Sequence, residues 1–170
     1  SISADFISNW LLPTKYSTDY SKSRKPENGW MSKHYQFESV FSLTGANADY
    51  RSQIKPSQEG ITASSILSVL RGGKPSELLS NETAANIINC AKSLKEAKGG
   101  SIVVSGSNDS NIQIIVNAIN VELGNYGSTI DLTKPLNLFQ GNDEEVTNLI
   151  NEIESNKVEA LIVYGSNPVY

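Results

Sequence analysis

Cysteine and histidine are almost missing from this sequence: Cys90 and His34 are the only ones in 170 residues. A lone cysteine excludes an intrachain disulfide, a thiolate zinc site and a cysteine-ligated iron–sulfur cluster built from this chain. A lone histidine excludes a multi-histidine metal site. No run of about 18 apolar residues occurs, so the sequence offers no bilayer-spanning helix. Basic residues are also in the minority, 14 Lys and Arg against 18 Asp and Glu for a net charge of -4. A dedicated nucleic-acid binder needs the opposite balance to neutralise phosphates. What is present is 38% hydrophobic and 19% charged, the make-up of an ordinary globular chain. One domain with a sizeable core is the expectation at this length.

Apolar spacing predicts a helix over residues 81–98, where Ala84, Ile87, Ile88, Ala91 and Leu94 recur at helical intervals. Asn81 can cap its start, and Gly99-Gly100 stops it. The β-branched run Ile102-Val103-Val104 reads as a buried strand. A second helix covers residues 111–123, with Ile112, Ile115, Val116, Ile119 and Leu123 on one face. Asp109 or Ser110 would cap it, and Gly124 sits just beyond its end. Residues 144–155 repeat the pattern with Val146, Leu149, Ile150 and Ile153, and residues 158–164 read as another buried strand. Strands alternating with crossover helices imply parallel pairing, and so a Rossmann-like three-layer α/β domain with a mainly parallel sheet.

The first 60 residues are less regular. Residues 2–7 and 35–40 look like strands, and residues 61–70 like a short helix ended by Gly72-Gly73. The intervening stretch holds Trp10, Pro13, Tyr16 and Tyr20, and closes in a Pro26-Glu27-Asn28-Gly29 turn. Both ends of the chain fall in or beside strands, whereas domain termini usually lie in polar linkers. The expectation is one α/β domain spanning residues 1–170, excised from a longer polypeptide.

Few motifs carry chemistry. Ser105-Gly106-Ser107-Asn108-Asp109 follows a strand and opens a helix, a context that suits an anion or nucleotide phosphate. The dinucleotide fingerprint needs three glycines and this loop has one, which favours an ordinary strand-to-helix turn. Gly165-Ser166-Asn167-Pro168 sits at the carboxyl end of the last expected strand, where open α/β sheets bind ligands. An exit turn uses the same residues, so both readings stand. His34 has no partner nearby in sequence for nucleophilic catalysis and reads as a surface or packing residue. Cys90, beside a helical apolar stripe, reads as a small buried side chain.

The segment Glu38-Ser39-Val40-Phe41-Ser42-Leu43-Thr44-Gly45-Ala46-Asn47-Ala48-Asp49, continued by Ile54-Lys55-Pro56-Ser57-Gln58-Glu59-Gly60, resembles the molybdopterin oxidoreductase superfamily. There a strand ends in Asp-Pro-Arg, followed by Thr, Ala-Asp and Ile-Arg-Pro-Gly before a short helix. Thr44, Ala48-Asp49, Ile54, Pro56 and Gly60 keep that spacing. The run with Asn120, Gly124, Asn125 and Gly127 is similar to the family's later α/β unit, and Gly165-Ser166-Asn167-Pro168 to its Gly-x-Asn-Pro loop. Met31-Ser32-Lys33-His34-Tyr35-Gln36-Phe37-Glu38-Ser39 and Ser42-Leu43-Thr44-Gly45-Ala46-Asn47-Ala48-Asp49-Tyr50-Arg51 look closest to the large iron–sulfur subunit of alternative complex III.

The resemblance implies a quinol-oxidising respiratory complex attached to the periplasmic side of a bacterial inner membrane. Its large subunit joins a molybdenum-free, molybdoenzyme-like domain to a cluster-bearing ferredoxin-like domain. The partners it implies are that neighbouring iron–sulfur domain and the other subunits, with no nucleic acid and no membrane insertion by this chain. Departures from the cofactor-binding pattern point the same way. Glu38-Ser39-Val40 replaces Asp-Pro-Arg, losing a guanidinium fork that can grip phosphate or guanine. Asp5-Phe6-Ile7-Ser8-Asn9-Trp10 stands where Gly-x-Asn-Pro would, with large rings and no glycine.

The first reading is therefore a scaffold without a cofactor of its own, the iron–sulfur clusters lying elsewhere in the parent. Trp10, Trp30 and the tyrosines at 16 and 20 would serve an interface. The second reading is a domain of an active enzyme holding molybdopterin guanine dinucleotide. Only then would Gly165, Asn167, Pro168, Ser105, Gly106 and Ser107 bind cofactor. A free-standing nucleotide-binding module is a third reading, disfavoured by the ends. No residue is nominated as catalytic or as a metal ligand.

Overall fold

The computed structural model describes residues 1–134 and 142–167. It divides into two compact units, Ser1–Thr133 and Lys134–Tyr170.

The first unit is built on parallel pairing. Strand β1 (Tyr35–Glu38) pairs in parallel with β2 (Tyr50–Gln53), Tyr35 opposite Tyr50 and Glu38 opposite Gln53. Ile2 extends the array on the other side of β1, making parallel bridges both to Phe37 and to Ser105. The Ile2 amide donates to the Val104 carbonyl at 2.9 Å, and the Gly106 amide returns a bond to the Ile2 carbonyl at 3.0 Å. Four extended segments thus lie side by side in the order Ser105, Ile2, β1, β2, although only two qualify as full strands. The architecture is mixed α/β with a small parallel sheet.

The short helix α2 (Leu43–Ala46) follows β1, and helices α3 (Glu59–Leu70), α4 (Asn81–Glu96) and α5 (Ser110–Glu122) pack on one face of this array. Their apolar stripes meet Ile2, Phe37, Ile66, Ile87 and Ile119, each at most 2% exposed, in one continuous core. Burying each such side chain contributes about 1.5–3 kcal/mol. The caps follow the chemistry of the flanking residues. Ser80, one residue earlier than expected, caps α4 by accepting the Thr83 amide, and Asp109 caps α5 through the Asn111 amide. Gly124 ends α5 with φ of 66°, a conformation in which glycine avoids a Cβ clash.

Three elements differ from the sequence reading. Helix α1 (Pro13–Lys22) occupies the stretch that looked irregular. It buries no residue completely and has no side-chain cap, so neither stripe nor cap announced it. Strand β2 was also not foreseen, because Tyr50-Arg51-Ser52-Gln53 is mostly polar. Conversely, the strand expected over residues 2–7 pairs only at Ile2, since Ser3 takes φ of 49° and the chain turns at residues 6–9.

The second unit contains helix α6 (Asp143–Glu154), capped by Asn142. The buried strand expected over residues 158–164 does not form: the stretch has no strand pairing among the described residues. Ile162 and Tyr164 are 92% and 96% exposed. In the first unit, side chains close the outer edge of residues 101–105. Asn120 donates to the Val103 carbonyl at 2.8 Å and accepts its amide at 3.0 Å. Thr129 and Gln113 donate to the Ser101 and Ser105 carbonyls. An edge whose ladder groups are occupied in this way offers little to a further strand.

Asn120 is 2% exposed and also bonds Asn125 and the Val116 carbonyl. Asn120→Leu leaves the Val103 amide and carbonyl buried and unpaired, and it should cost about 2–4 kcal/mol. Urea denaturation of the two proteins measures this as a lowered midpoint at unchanged slope.

Candidate functional site

Two regions of the first unit gather polar or aromatic side chains. The first lies at the carboxyl ends of the parallel segments, where sheets of this kind bind ligands. Alternation along β1 sends Tyr35 and Phe37 into the apolar core and Gln36 and Glu38 to the opposite face. Glu38 is 3% exposed, and its carboxylate accepts from Arg51 Nε at 2.6 Å, Ser42 Oγ at 2.6 Å and Gln36 Nε2 at 2.9 Å. Burial pushes this carboxyl up, but the bonds from Ser42, Arg51 and Gln36 outweigh it and hold it below the ordinary glutamate value. Gly45 is required beside it, because a Cβ there would collide with the Glu38 carboxylate.

Asp5 does similar work in the next loop. Its carboxylate accepts from Thr44 Oγ1 at 2.7 Å and the Thr44 amide at 3.1 Å, and it also bonds Ser8. Burial raises Asp5, and the bonds from Ser8 and Thr44 bring it below the usual aspartate value. Asp49, the aspartate of the Ala48-Asp49 pair, takes a bidentate bond from Arg24 at 2.7 and 2.8 Å and accepts the His34 amide at 2.7 Å. The Arg24 guanidinium is the main cause that holds this carboxyl low.

Ser105, Gly106 and Ser107 lie together where the order of the segments reverses, between the Ser105 segment and Ile2. Amides along this turn donate to oxygens of the loop and of the neighbouring Ile2 segment. Gly106 donates to Ile2, Ser107 to Ser105 Oγ, Asp109 to Ser107 Oγ, and Asn111 to the Asp109 carboxylate. Gly106 also packs directly on the backbone of Ser3, and a Cβ at 106 would collide with the Ser3 carbonyl. The two loops touch at this point, and the helix N-terminus carries a carboxylate of its own. Gly165, with φ of 66°, and Asn167 belong to the second unit, and Pro168 lies outside the described residues.

The second region is a groove of about 750 Å³ lined by Phe6, Trp10, Tyr16, Tyr20, Trp30 and His34, with Ile102 and Val104 on its floor. Sequence reading marked its aromatics separately, and folding brings them together. Phe6 sits at the hub, its ring centroid 6.3 Å from Trp10, 5.8 Å from Tyr20 and 5.7 Å from His34. Tyr20 donates to the Asn47 carbonyl at 2.9 Å, so its oxygen accepts from His34 Nδ1 at 3.0 Å, which assigns the tautomer. His34 Nε2 is buried without a hydrogen-bond partner. Burial foremost, then the Ser1 ammonium, lowers the imidazole to about 4. His34 is thus a packing residue joining α1 to the sheet. Cys90 is likewise buried, and that burial raises its thiol to about 11.

The Glu38 network and the Arg24–Asp49 pair were not singled out from sequence. The signal for the first was available in the strict alternation Tyr35-Gln36-Phe37-Glu38, which places two polar side chains on a buried face. Arg24 and Asp49 are 25 residues apart, and nothing local connects them. Among the described residues no group of three His, Cys, Asp or Glu side chains is placed to hold a metal ion. None of the described helices is long and apolar enough to cross a membrane. No protein-family model matches this chain, and no curated protein matches it either.

The lowered His34 value sets an acid response. An unfolded histidine titrates near 6.5, so between pH 6.5 and about 4 the unfolded chain binds the extra proton and the folded chain does not. Stability is full above pH 6.5 and should fall by roughly 3 kcal/mol as pH drops to 4. Urea midpoints at pH 7, 5.5 and 4 should track this slope. His34→Gln should be less stable at pH 7 but flat between pH 7 and 5.5, with only the loss from the lowered carboxylates setting in below about pH 5.

Proposed function

We propose that this chain is a molybdoenzyme-like scaffold domain without a cofactor, part of a respiratory iron–sulfur oxidoreductase subunit in a quinol-oxidising electron-transfer complex. Its place would be the periplasmic side of a bacterial inner membrane. Its partners would be the neighbouring iron–sulfur domain and the other subunits of the complex. The small parallel sheet would belong to a Rossmann-like three-layer fold in which the neighbours complete the layers.

One observation carries this reading: at the reversal of segment order, the amides of Gly106, Ser107, Asp109 and Asn111 are all consumed within the chain. A phosphate-binding turn keeps such donors pointing outward at the anion. Here those donors are met by oxygens of Ile2, Ser105, Ser107 and Asp109, and the Ser3 backbone packs directly on Gly106. The strand ends also present the carboxylates of Glu38 and Asp5, which repel phosphate. Arg51, the cation nearest to them, is already bonded to Glu38 at 2.6 Å and is not free for a phosphate. Phe6, in the loop after Ile2, has its ring packed against Trp10, Tyr20 and His34. These residues do not fit molybdopterin guanine dinucleotide, which is why the active-enzyme reading built on Ser105, Gly106, Ser107, Gly165, Asn167 and Pro168 ranks second.

Elemental and pterin analysis of the natural protein, purified from its own host, tests the proposal. Iron and acid-labile sulfide without molybdenum or pterin is the expected result. Stoichiometric molybdenum would overturn it. Phe6→Gly offers an independent check on the chain itself. The variant should lose about 2–4 kcal/mol of stability through the vacated ring contacts and gain no stabilisation from guanosine diphosphate. A melting temperature that rises with the nucleotide would show that Phe6 had merely plugged a working site.

A further inference from the structure

The loop that joins α1 to β1 holds a reactive pair away from the sites described above. Asn28-Gly29 is the single Asn-Gly dipeptide in the sequence. Both residues are exposed, and they close the short turn Pro26–Asn28, which has no buried residue. Gly29 has φ of 73°, and no atom beyond its chain neighbours lies within 4 Å of where a Cβ would sit. The nitrogen of Gly29 is thus free of any side chain that would screen it. That freedom matters because an asparagine side-chain amide and the next backbone nitrogen can react with each other.

We propose that Asn28-Gly29 is a self-modification site, where Asn28 loses its side-chain amide and the end of α1 is loosened as a result. The Gly29 nitrogen gives its proton to hydroxide and attacks Asn28 Cγ. A new C–N bond closes a succinimide ring, while the Cγ–Nδ2 bond breaks and the nitrogen leaves as ammonia. Water then opens the ring at either carbonyl, giving aspartate or its β-linked isomer. Water is the only co-reactant, and nothing is oxidised or reduced. Two bonds hold the pair back. The Gly29 amide donates to the Pro26 carbonyl at 3.0 Å, and Asn28 Nδ2 donates to the Lys22 carbonyl at 3.1 Å. Both must break, but a turn with no buried residue opens locally, at far less cost than unfolding the core.

The bond to Lys22 gives the reaction its consequence. Lys22 ends α1, and the residue four positions on, which would normally supply the amide for its carbonyl, is Pro26. Proline has no N–H, so Asn28 Nδ2 takes over as donor. A carboxylate in its place has no proton to give and faces the negative end of the helix. The β-linked isomer also lengthens the backbone by a methylene. It does so inside a loop whose neck is drawn shut, by the Ser32 amide on the Ser23 carbonyl at 2.9 Å and by Arg24 on the Ser32 carbonyl at 2.7 Å. This inference goes beyond the scaffold reading and does not depend on it.

Timed incubation of the chain at neutral and mildly alkaline pH, read by peptide mass spectrometry, tests the chemistry. Asn28 should convert about tenfold or more faster than Asn108 and Asn142, which precede aspartates instead of glycine. Conversion should quicken at the higher pH, because the attacking nitrogen must first lose its proton. Asn28→Gln keeps an amide donor and should stay intact. Hydrogen exchange tests the consequence. Asn28→Asp, which fixes one product at an exposed position, should exchange several-fold faster at residues 20–24, with α3, α4 and α5 unchanged. Asn28→Gln should stay close to the unmodified chain there. An Asn28 that converts no faster than Asn108 and Asn142 would overturn the proposal, as would an Asn28→Asp variant whose exchange at residues 20–24 is unaltered.

Discussion

Everything in the first unit hangs on the extended backbone around Ile2. This residue is fully buried, and the chain on either side of it bonds in two directions: to Val104 and Gly106 on one flank, to Phe37 on the other. Ser3 donates to the Phe37 carbonyl and Phe37 returns a bond to Ser1. Without that strip, the β1–β2 pair and the segment before α5 would be separate pieces sharing a few helix contacts. With it, they form one parallel array whose helices can close over a common core. The same strip draws Ser3 against Gly106, so the interaction that unites the fold also shuts the crevice at its carboxyl edge.

The two faces of the array answer different demands. One is apolar and buried beneath α3, α4 and α5 in the ordinary manner. The other holds Gln36 and Glu38, both buried, and His34, and it is acceptable only because almost every polar atom has a partner. Such a network is costly to disturb, since an unpaired buried carboxylate loses far more than a surface one. It is also poor material for a cofactor site, because a ligand would have to displace bonds already made. Arg51 illustrates the point. Its charge is fixed by Glu38 beneath it, and its guanidinium lies 4.7 Å from the Phe41 ring.

Much of this could be read from the residues, within limits set by physics. Helices α4 to α6 announced themselves through apolar periodicity and α3 through a short apolar run ended by Gly72-Gly73, and their ends fell within two residues of expectation. Helix α1 could not be read in the same way, since it is held by single anchors such as the Tyr20–His34 bond and the Arg24–Asp49 pair. Strand β2 was hidden because its polar side chains serve the buried network. The run at residues 158–164 shows the opposite error, as β-branched composition alone does not supply a ladder partner. At the candidate site, the sequence showed Glu38-Ser39-Val40 without an arginine and a first loop, Asp5 to Trp10, without a glycine. That the loop's amides turn inward depends on Ser105, Ser107 and Asp109 acting together, which spacing alone does not reveal.

The closed crevice is the centre of this account, and amide resonances report on it directly. In two-dimensional nitrogen–proton spectra of the chain, the signals of Ser3, Gly106, Ser107 and Asn111 should stay in place as guanosine diphosphate is added to millimolar excess. Saturable shifts confined to those amides would contradict the account, because they would mean that donors bonded here to Phe37, Ile2, Ser105 and Asp109 turn outward to meet a phosphate.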